Sequence, residues 1–171
     1  MKNLFLDRDG VINEIVMRGD VVSSPRSLDE FNIRPEFEQF HEELQGRNLN
    51  LFVVSNQPDV SRRLLPESIL ADMTALLDRF AFKEIVYCIH DDSHGCQCRK
   101  PKPGMITRLL DKYGLDKQEA LIIGDGKKDV LAGQAAGIKT VYLRHSYNRD
   151  LGCKPEFIID TLSEALGIII K

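Results

Sequence analysis

The sequence predicts an α/β protein, a three-layer sandwich built around a central parallel sheet. Two observations lead to this fold class: short apolar runs alternate with helical patterns along the chain, and Pro and Gly residues punctuate the helices. At 171 residues the chain is long enough to bury a sizeable core and fits one domain better than two. We therefore predict a single Rossmann-like domain over residues 1–171.

The predicted strands are short apolar runs of the kind that a parallel sheet buries on both faces. In chain order they are residues 3–6, 49–54, 84–88, 120–123, 140–143 and 157–159. The first and second strands are joined by a connection that includes residues 10–34 and has weak periodicity. Long connections beside a site often act as lids.

The predicted helices have recognisable starts and stops. Three prolines suit first-turn positions: Pro35, Pro66 and Pro103. Gly114 and Gly137 suit the ends of helices over residues 105–113 and 129–136, and a short last helix is predicted after Thr161. Because ligands bind outside the carboxyl ends of the strands in such sheets, the residues that follow each apolar run are the candidates for a site.

Composition excludes several classes of protein. The formal net charge of -3, without a clustered Lys/Arg tract, argues against a nucleic-acid partner. No apolar stretch approaches the roughly 18 residues that a membrane span needs, and the run after Met1 is too short for a secretory signal. We expect a cytoplasmic protein, compatible with a monomer, whose partner is a small anionic metabolite.

An acidic pair follows the first strand. Asp7 and Asp9 are two residues apart and are followed by Gly10, where the chain turns away from the sheet. Asp-Gly is a common turn dipeptide, so turn formation alone could explain the pair. A close pair can also keep one carboxylate ionised as nucleophile or metal ligand while the other exchanges a proton. Asp125, at the end of a later strand, could complete an oxygen site for magnesium, and Asp129 could hold that loop or start a helix.

Two further side chains suit the binding of phosphoryl oxygens. Ser55 ends a very apolar strand, where its hydroxyl and nearby amides could donate hydrogen bonds, although turn formation also explains it. Lys100 precedes Pro101, which favours an extended backbone that could aim the ammonium group inward. An isolated Lys is usually solvated, but this one is tethered beside Cys98.

A cluster of thiols and imidazoles lies directly before Lys100. Thiolate and imidazole are the ligands that zinc prefers, and one short segment supplies a complete tetrahedral set: Cys88, His90, Cys96 and Cys98. His94 is an alternative to His90. Four protein ligands leave no position for water, so the predicted zinc is structural and holds the loop that presents Arg99 and Lys100.

These segments together resemble a known family. Asp7-Arg-Asp9-Gly10, Ser55-Asn56-Gln57, Arg99-Lys100-Pro101 and Gly124-Asp125 through Asp129 are similar to the four ordered motifs of the haloacid dehalogenase-like phosphatases. Cys-x-His followed by Cys-x-Cys-Arg-Lys-Pro resembles the branch that contains heptose bisphosphate phosphatases and histidinol phosphatases. The resemblance spans nearly the whole chain and implies a haloacid dehalogenase-like sandwich without a large cap domain.

The resemblance also implies an activity, a phosphomonoester hydrolase with a covalent aspartyl-phosphate. Asp7 would be the nucleophile, and Asp9 the general acid and base. Magnesium would be held by Asp7, the Asp9 backbone carbonyl and Asp125. The implied substrate-binding residues are Ser55, Asn56, Gln57, Arg99 and Lys100.

Two features of the resemblance point to different substrates. The five residues between His90 and Cys96 resemble the short zinc loop of histidinol-phosphate phosphatases, whereas residues 18–31 and 100–105 are more similar to the enzymes acting on D-glycero-D-manno-heptose 1,7-bisphosphate. We favour the heptose bisphosphate as substrate. Gly126 stands where members usually carry Lys or Arg, so that cation is either absent or replaced by Lys127 or Lys128. A third interpretation, from another class, is an inactive zinc-stabilised binding module.

Overall fold

A six-stranded parallel sheet forms the centre of the computed structural model, which describes residues 1–148 and 151–170. In chain order the elements are β1 (Asn3–Leu6), β2 (Val16–Arg18), β3 (Val21–Ser23), α1 (Pro35–Leu44), β4 (Asn50–Asn56), α2 (Glu67–Ala75), β5 (Glu84–Cys88), α3 (Gly104–Tyr113), β6 (Ala120–Gly124), α4 (Lys127–Ala136), β7 (Lys139–Leu143), β8 (Phe157–Ile159) and α5 (Leu162–Ile169). The sheet order is β5-β4-β1-β6-β7-β8. Within these residues, each helix is too short or too polar to cross a membrane.

The helices cover both faces of the sheet because alternate strand residues enter different cores. In β1, Leu4 and Leu6 pack in the core formed with α1, α2 and α5. Phe5 points the other way, stacks on Phe52 with ring centroids 5.0 Å apart, and packs in the core formed with α3 and α4. All side chains of β1 are buried, as expected for a central parallel strand. The predicted three-layer sandwich is confirmed.

The helices begin and end close to the proline and glycine residues that predicted their boundaries, with small shifts. Gly114 and Gly137 end α3 and α4 in the left-handed region, at φ values of 60° and 76°. Pro35 is the first residue of α1, whereas the other two prolines come directly before α2 and α3. Helix α4 begins two residues before the predicted start because the Asp129 side chain accepts a hydrogen bond from the Gly126 N–H and caps it.

Two parts of the prediction need correction. β4 continues to Asn56, so Ser55 and Asn56 are strand residues and do not lie in the following loop. The connection over residues 10–34 contains the antiparallel hairpin β2–β3, closed by a two-residue turn in which Gly19 has a φ of 62°. Strands of three residues are too short to show a period, so the sequence does not predict this hairpin.

Candidate active site

Three buried carboxylates meet at the carboxyl end of the central strands. Asp7 follows β1 and Asp125 follows β6, and these strands are paired neighbours. Asp129, in the first turn of α4, completes the group, in which the side chains can place oxygens within 4.8 Å of one another. Each residue is at most 8% exposed, so water screens their mutual repulsion poorly.

Lys100 supplies the buried positive charge of this group. Its Nζ lies 2.9 Å from Asp7 Oδ1 and 2.5 Å from Asp129 Oδ1, and it donates to the Val54 carbonyl at 2.7 Å. The backbone of Lys100 is held by Asn56, whose side chain accepts from the Lys100 N–H and donates to the Lys100 carbonyl. Neighbouring strands therefore fix the ammonium group rather than leaving it in solvent.

The charges of this cluster separate the proton affinities of the three acids. Burial works to raise the pKa of Asp7, but Lys100 and Lys128 outweigh it and hold that pKa at about 2. Burial and the Asp7 charge raise the pKa of Asp125 to about 7 and that of Asp129 to about 6. Asp7 is therefore anionic at neutral pH. Ionisation of Asp125 and Asp129 is electrostatically unfavourable, and a bound cation would make it more favourable.

Asp9 lies beside this cluster and is held by donors on both carboxylate oxygens. Oδ1 accepts from the Arg8 guanidinium at 2.9 and 3.1 Å and from Asn13 at 2.9 Å. Oδ2 accepts from Ser24 and Gln57, each at 2.8 Å. The Arg8 side chain is fully buried, so Oδ1 is fixed, whereas Oδ2 faces a hydroxyl that can either donate or accept.

Three predicted substrate-binding residues mainly support other side chains: Ser55 and Asn56 at the end of β4, and Gln57 directly after it. The Ser55 hydroxyl is buried and accepts a hydrogen bond from Gln57 Nε2 at 3.1 Å, and Gln57 also holds Asp9. The Asn56 side chain positions Lys100 by hydrogen bonds to the Lys100 backbone. A direct contact of these three residues with substrate stays a prediction.

An open cavity of about 340 Å³ lies in front of the acidic cluster. Its wall contains Asp9, Asp125 and Gly126 together with residues of the β2–β3 hairpin and of the segment after β7. Among the described residues of this lining, Lys128 carries the positive charge, with its Nζ 3.9 Å from Asp7 Oδ2 and its side chain 45% exposed. Of the two lysines proposed to replace a missing cation at Gly126, the structure places Lys128 at the cavity.

Arg99 is directed away from this cavity. Its Nε donates to Asp92 at 2.6 Å and one terminal nitrogen donates to the His90 carbonyl at 3.3 Å. Arg99 lines a separate depression of about 130 Å³ beside the cysteine cluster. The prediction that Arg99 reaches the substrate therefore stays a prediction.

Sequence reasoning overlooked two side chains that meet these acids. Ser24, after β3, donates to Asp9, and Tyr147, after β7, donates to Asp125 Oδ2 at 2.9 Å. Burial, and then the Asp125 charge, raise the pKa of Tyr147, so the phenol keeps its proton. Tyr147 follows β7 at the edge of the sheet where a site is expected, but no motif in the sequence singles it out.

The predicted zinc ligands lie together at the end of β5. The three sulfur atoms lie 3.2 to 3.7 Å from one another, and His90 Nδ1 lies 3.6 Å from Cys88 Sγ and 3.3 Å from Cys98 Sγ. A tetrahedral zinc with Zn–S bonds of about 2.3 Å requires ligand separations of about 3.8 Å, so the cluster is close to a zinc site. His94 Nδ1 instead accepts from the Asp91 N–H at 3.2 Å, which favours His90 over His94 as the ligand.

The Cys88 thiol of this cluster is not ionised by its surroundings alone. Burial, and then the neighbouring Cys98 thiol, raise the pKa of Cys88 to about 12. A metal would have to displace such protons when it binds. The segment is also tied to the chain after β4, because Arg62 donates two hydrogen bonds, at 2.7 and 2.8 Å, to Asp91.

A match to the family described as haloacid dehalogenase-like hydrolase covers residues 1–137. The chain belongs to this family. The D-glycero-beta-D-manno-heptose-1,7-bisphosphate 7-phosphatase of Pseudomonas putida is 33% identical over 150 residues, which cover 84% of this chain and 83% of that protein. The D-glycero-alpha-D-manno-heptose-1,7-bisphosphate 7-phosphatase of Campylobacter jejuni is 34% identical over 83% of this chain and 81% of its own length.

Solved structures of the haloacid dehalogenase-like fold superpose on nearly the whole chain. D,D-heptose 1,7-bisphosphate phosphatase from B. bronchiseptica, complexed with magnesium and phosphate, aligns with a TM-score of 0.86 over 99% of this chain and 98% of that chain. The two sequences are 24% identical, so this likeness concerns the fold.

Haloacid dehalogenase-like phosphatases use magnesium, and the acidic cluster has the chemistry to hold it. Magnesium prefers a few carboxylate oxygens together with water and substrate phosphate. Asp7, Asp125 and Asp129 offer such oxygens, and the raised pKa values of Asp125 and Asp129 reflect first their burial and then the repulsion from Asp7, which a cation would offset. The donor set therefore fits a divalent magnesium ion.

Proposed function

We propose that the protein is a magnesium-dependent phosphomonoester hydrolase that works through an aspartyl-phosphate. The observation that carries this proposal is the Asp7 carboxylate, which is buried, anionic and held by Lys100 beside Asp125. Phosphoryl transfer needs positioning and neutralisation of spread negative charge more than elaborate covalent chemistry. A fixed anion between an ammonium group and a cation site meets both needs.

The reaction has two steps in this proposal. First, an oxygen of Asp7 forms a bond to phosphorus while the bond between phosphorus and the substrate oxygen breaks, and Asp9 gives its proton to that oxygen. Second, water attacks phosphorus, the bond to Asp7 breaks, and Asp9 accepts the proton of the water. The product alcohol and inorganic phosphate leave. The hydrogen bonds to both oxygens of Asp9 support this role because they hold the carboxyl in one orientation.

Magnesium would be held by Asp7, the backbone carbonyl of Asp9 and Asp125, and it would supply charge neutralisation at the phosphoryl oxygens. Asp129 is close enough to contribute, but its oxygens are engaged by Lys100 and the Gly126 N–H, so we assign it a positioning role. Lys100 would bind phosphoryl oxygens together with Ser55.

We further propose that the substrate is D-glycero-D-manno-heptose 1,7-bisphosphate, hydrolysed at the 7-phosphate. Curated relatives with that activity, 32 to 34% identical over more than four fifths of this chain, support this choice. Lys128 at the cavity rim offers a cation for a second anionic group. Histidinol phosphate is the alternative, favoured by the five residues between His90 and Cys96.

The cysteine cluster is proposed to hold a structural zinc through Cys88, His90, Cys96 and Cys98. The short separations among the four ligand atoms support it. We propose a cytoplasmic location, because a reducing compartment keeps thiols available to a metal. We also propose that residues 1–171 form one domain.

The test is a phosphate-release assay with magnesium on both anomers of the heptose bisphosphate and on histidinol phosphate. We expect turnover of the heptose bisphosphate and a loss of at least about 1000-fold for Asp7→Asn, which removes the nucleophile. Asp111→Asn, which changes an exposed carboxylate on α3, is the matched control and should keep full activity. Full activity of Asp7→Asn would rule out the aspartyl-phosphate, and faster turnover of histidinol phosphate would reassign the substrate.

A further inference from the structure

The segment after β7 touches the acidic cluster from outside the four motifs that suggested the family. We name residues 144–148 the Tyr147 loop. Tyr147 Oη donates to Asp125 Oδ2 at 2.9 Å, and Asn148 Nδ2 donates to the Asp125 backbone carbonyl at 2.6 Å. The matched part of the family ends at residue 137, so this loop lies beyond it.

Contacts within the Tyr147 loop hold Tyr147 in this position. The Tyr147 ring stacks on His145, with centroids 4.9 Å apart and planes inclined by 19°. Asn148 Oδ1 accepts from the His145 N–H at 2.6 Å, and the Asn148 carbonyl accepts from the Tyr142 hydroxyl. The packing of the loop therefore directs the Tyr147 hydroxyl towards Asp125.

Gly10 shows how closely these groups approach. A Cβ added at Gly10 would lie 2.2 Å from Asp125 Oδ2 and 2.7 Å from Tyr147 Oη, and the φ of this residue is 82°. A glycine at this turn thus leaves just enough space for the hydrogen-bonded pair. The loop after β1 and the Tyr147 loop enclose Asp125 from two sides.

We propose that Tyr147, with Asn148, is a positioning pair that orients Asp125 and thereby sets the affinity of the site for magnesium. Asp125 faces two other carboxylates, Asp7 and Asp129, whose repulsion favours rotation of its side chain away from them. A donor on Oδ2 holds the side chain in the orientation in which Asp125 would bind the cation. Partners of metal ligands typically contribute 10- to 100-fold to metal affinity. This inference rests on the proposed role of Asp125 as a magnesium ligand.

The experiment measures magnesium binding directly, by calorimetric titration of the purified protein with magnesium chloride. Tyr147→Phe removes one hydroxyl and keeps the ring that stacks on His145. We expect its Kd for magnesium to rise by about tenfold. Tyr113→Phe is the matched control, because Tyr113 donates to Glu84 at the far edge of the sheet. That variant should bind magnesium as the wild type does.

A second variant removes the other donor, and a second readout separates positioning from catalysis. Asn148→Ala should also weaken magnesium binding, and for both variants phosphate release at saturating magnesium should recover most of the wild-type kcat. A Kd within twofold of the wild type in both variants would overturn the inference. A wild-type protein that binds no magnesium would instead overturn the proposed metal site itself, and the inference with it.

Discussion

The position of Lys100 depends on its contacts with individual side chains. A fully buried ammonium group is stable only when charged partners replace water, and Lys100 has two, Asp7 and Asp129. The predicted contact with phosphoryl oxygens is compatible with this geometry, since Lys100 lies directly against the proposed nucleophile. The sequence does not predict the pairing of Lys100 with Asp129, because no local pattern connects two residues that are 29 positions apart.

Lys128 is the residue on which the choice of substrate can be tested. Its ammonium group lies 3.9 Å from Asp7 Oδ2 and the residue lines the cavity, whereas its neighbour Lys127, also exposed, lies outside the lining. We expect Lys128→Met to raise the KM for the heptose bisphosphate by about tenfold or more, because a hydrogen bond to a charged group contributes about 1.5–3 kcal/mol.

Steady-state kinetics of Lys128→Met and of its matched control Lys127→Met would measure this effect. The Lys127 variant should keep the wild-type KM, since it loses an equal charge outside the cavity. A KM for Lys128→Met equal to that of the control would show that the substrate's second anionic group binds elsewhere, with the Arg99 depression as the next candidate.

At the scale of elements, the segment between β5 and α3 is an ordered loop with little apolar support of its own. Apart from the buried Cys88, the proposed zinc ligands are only partly buried, and the loop is tied to its surroundings by ion pairs such as Arg62 with Asp91. Such exposed pairs contribute about 0–1 kcal/mol each. Lys100 itself is fixed by Asn56, Val54 and the buried carboxylates, so a metal would order the preceding residues of the segment rather than Lys100 alone.

Loss of the proposed zinc should lower the stability of the protein and its rate of phosphate release together. We expect the double variant Cys96→Ser/Cys98→Ser to lose bound zinc and at least about 3 kcal/mol of unfolding free energy, because metal binding is coupled to loop order. This corresponds to a fall in Tm of about 6–12 °C for a chain of this size.

Elemental analysis, thermal melting and phosphate release would follow the three effects. Cys153→Ser is the matched control, since Cys153 is a partly buried thiol outside the cluster. It should keep zinc content, Tm and activity. Unchanged melting of the double variant would speak against a structural zinc.

At the scale of the whole molecule, the sheet order brings the separate parts of the site together. β1 lies between β4 and β6, so the residues after these three strands emerge side by side although they are far apart in the sequence. Helix α4 must then pack close to β6 and β7 to place Asp129. Gly133 permits this approach, because an added Cβ would lie 2.5 Å from Ile122 Cγ2 and 2.7 Å from Thr140 Cγ2.

This close packing can be tested by two glycine substitutions in helices. Gly133→Ala should destabilise the protein by about 1–3 kcal/mol through overpacking against the sheet. Gly167→Ala in α5 meets open space, and the better helix propensity of Ala should stabilise the protein by up to about 1 kcal/mol. Urea unfolding of both variants measures the difference. Equal stabilities would mean that α4 can shift away from the sheet without cost.

The sequence by itself determined the elements with strong local signals. The apolar runs located the six strands of the sheet, and Gly114 and Gly137 marked the ends of α3 and α4, because buried strands and left-handed helix ends restrict residue type locally. It also selected Asp7 and Asp125 as neighbours, since parallel strands present their carboxyl ends at one edge.

Only the tertiary structure decided which side chains face one another at that edge. It placed Lys128 in the cavity and turned Arg99 away from it, and it brought Tyr147 to Asp125 from a loop without a recognisable motif. The physical reason is that strand periodicity constrains burial, whereas the direction of a loop side chain depends on contacts with residues distant in the chain. The acidic cluster at the end of β1 is predictable from local sequence, and the shell that orients it is not.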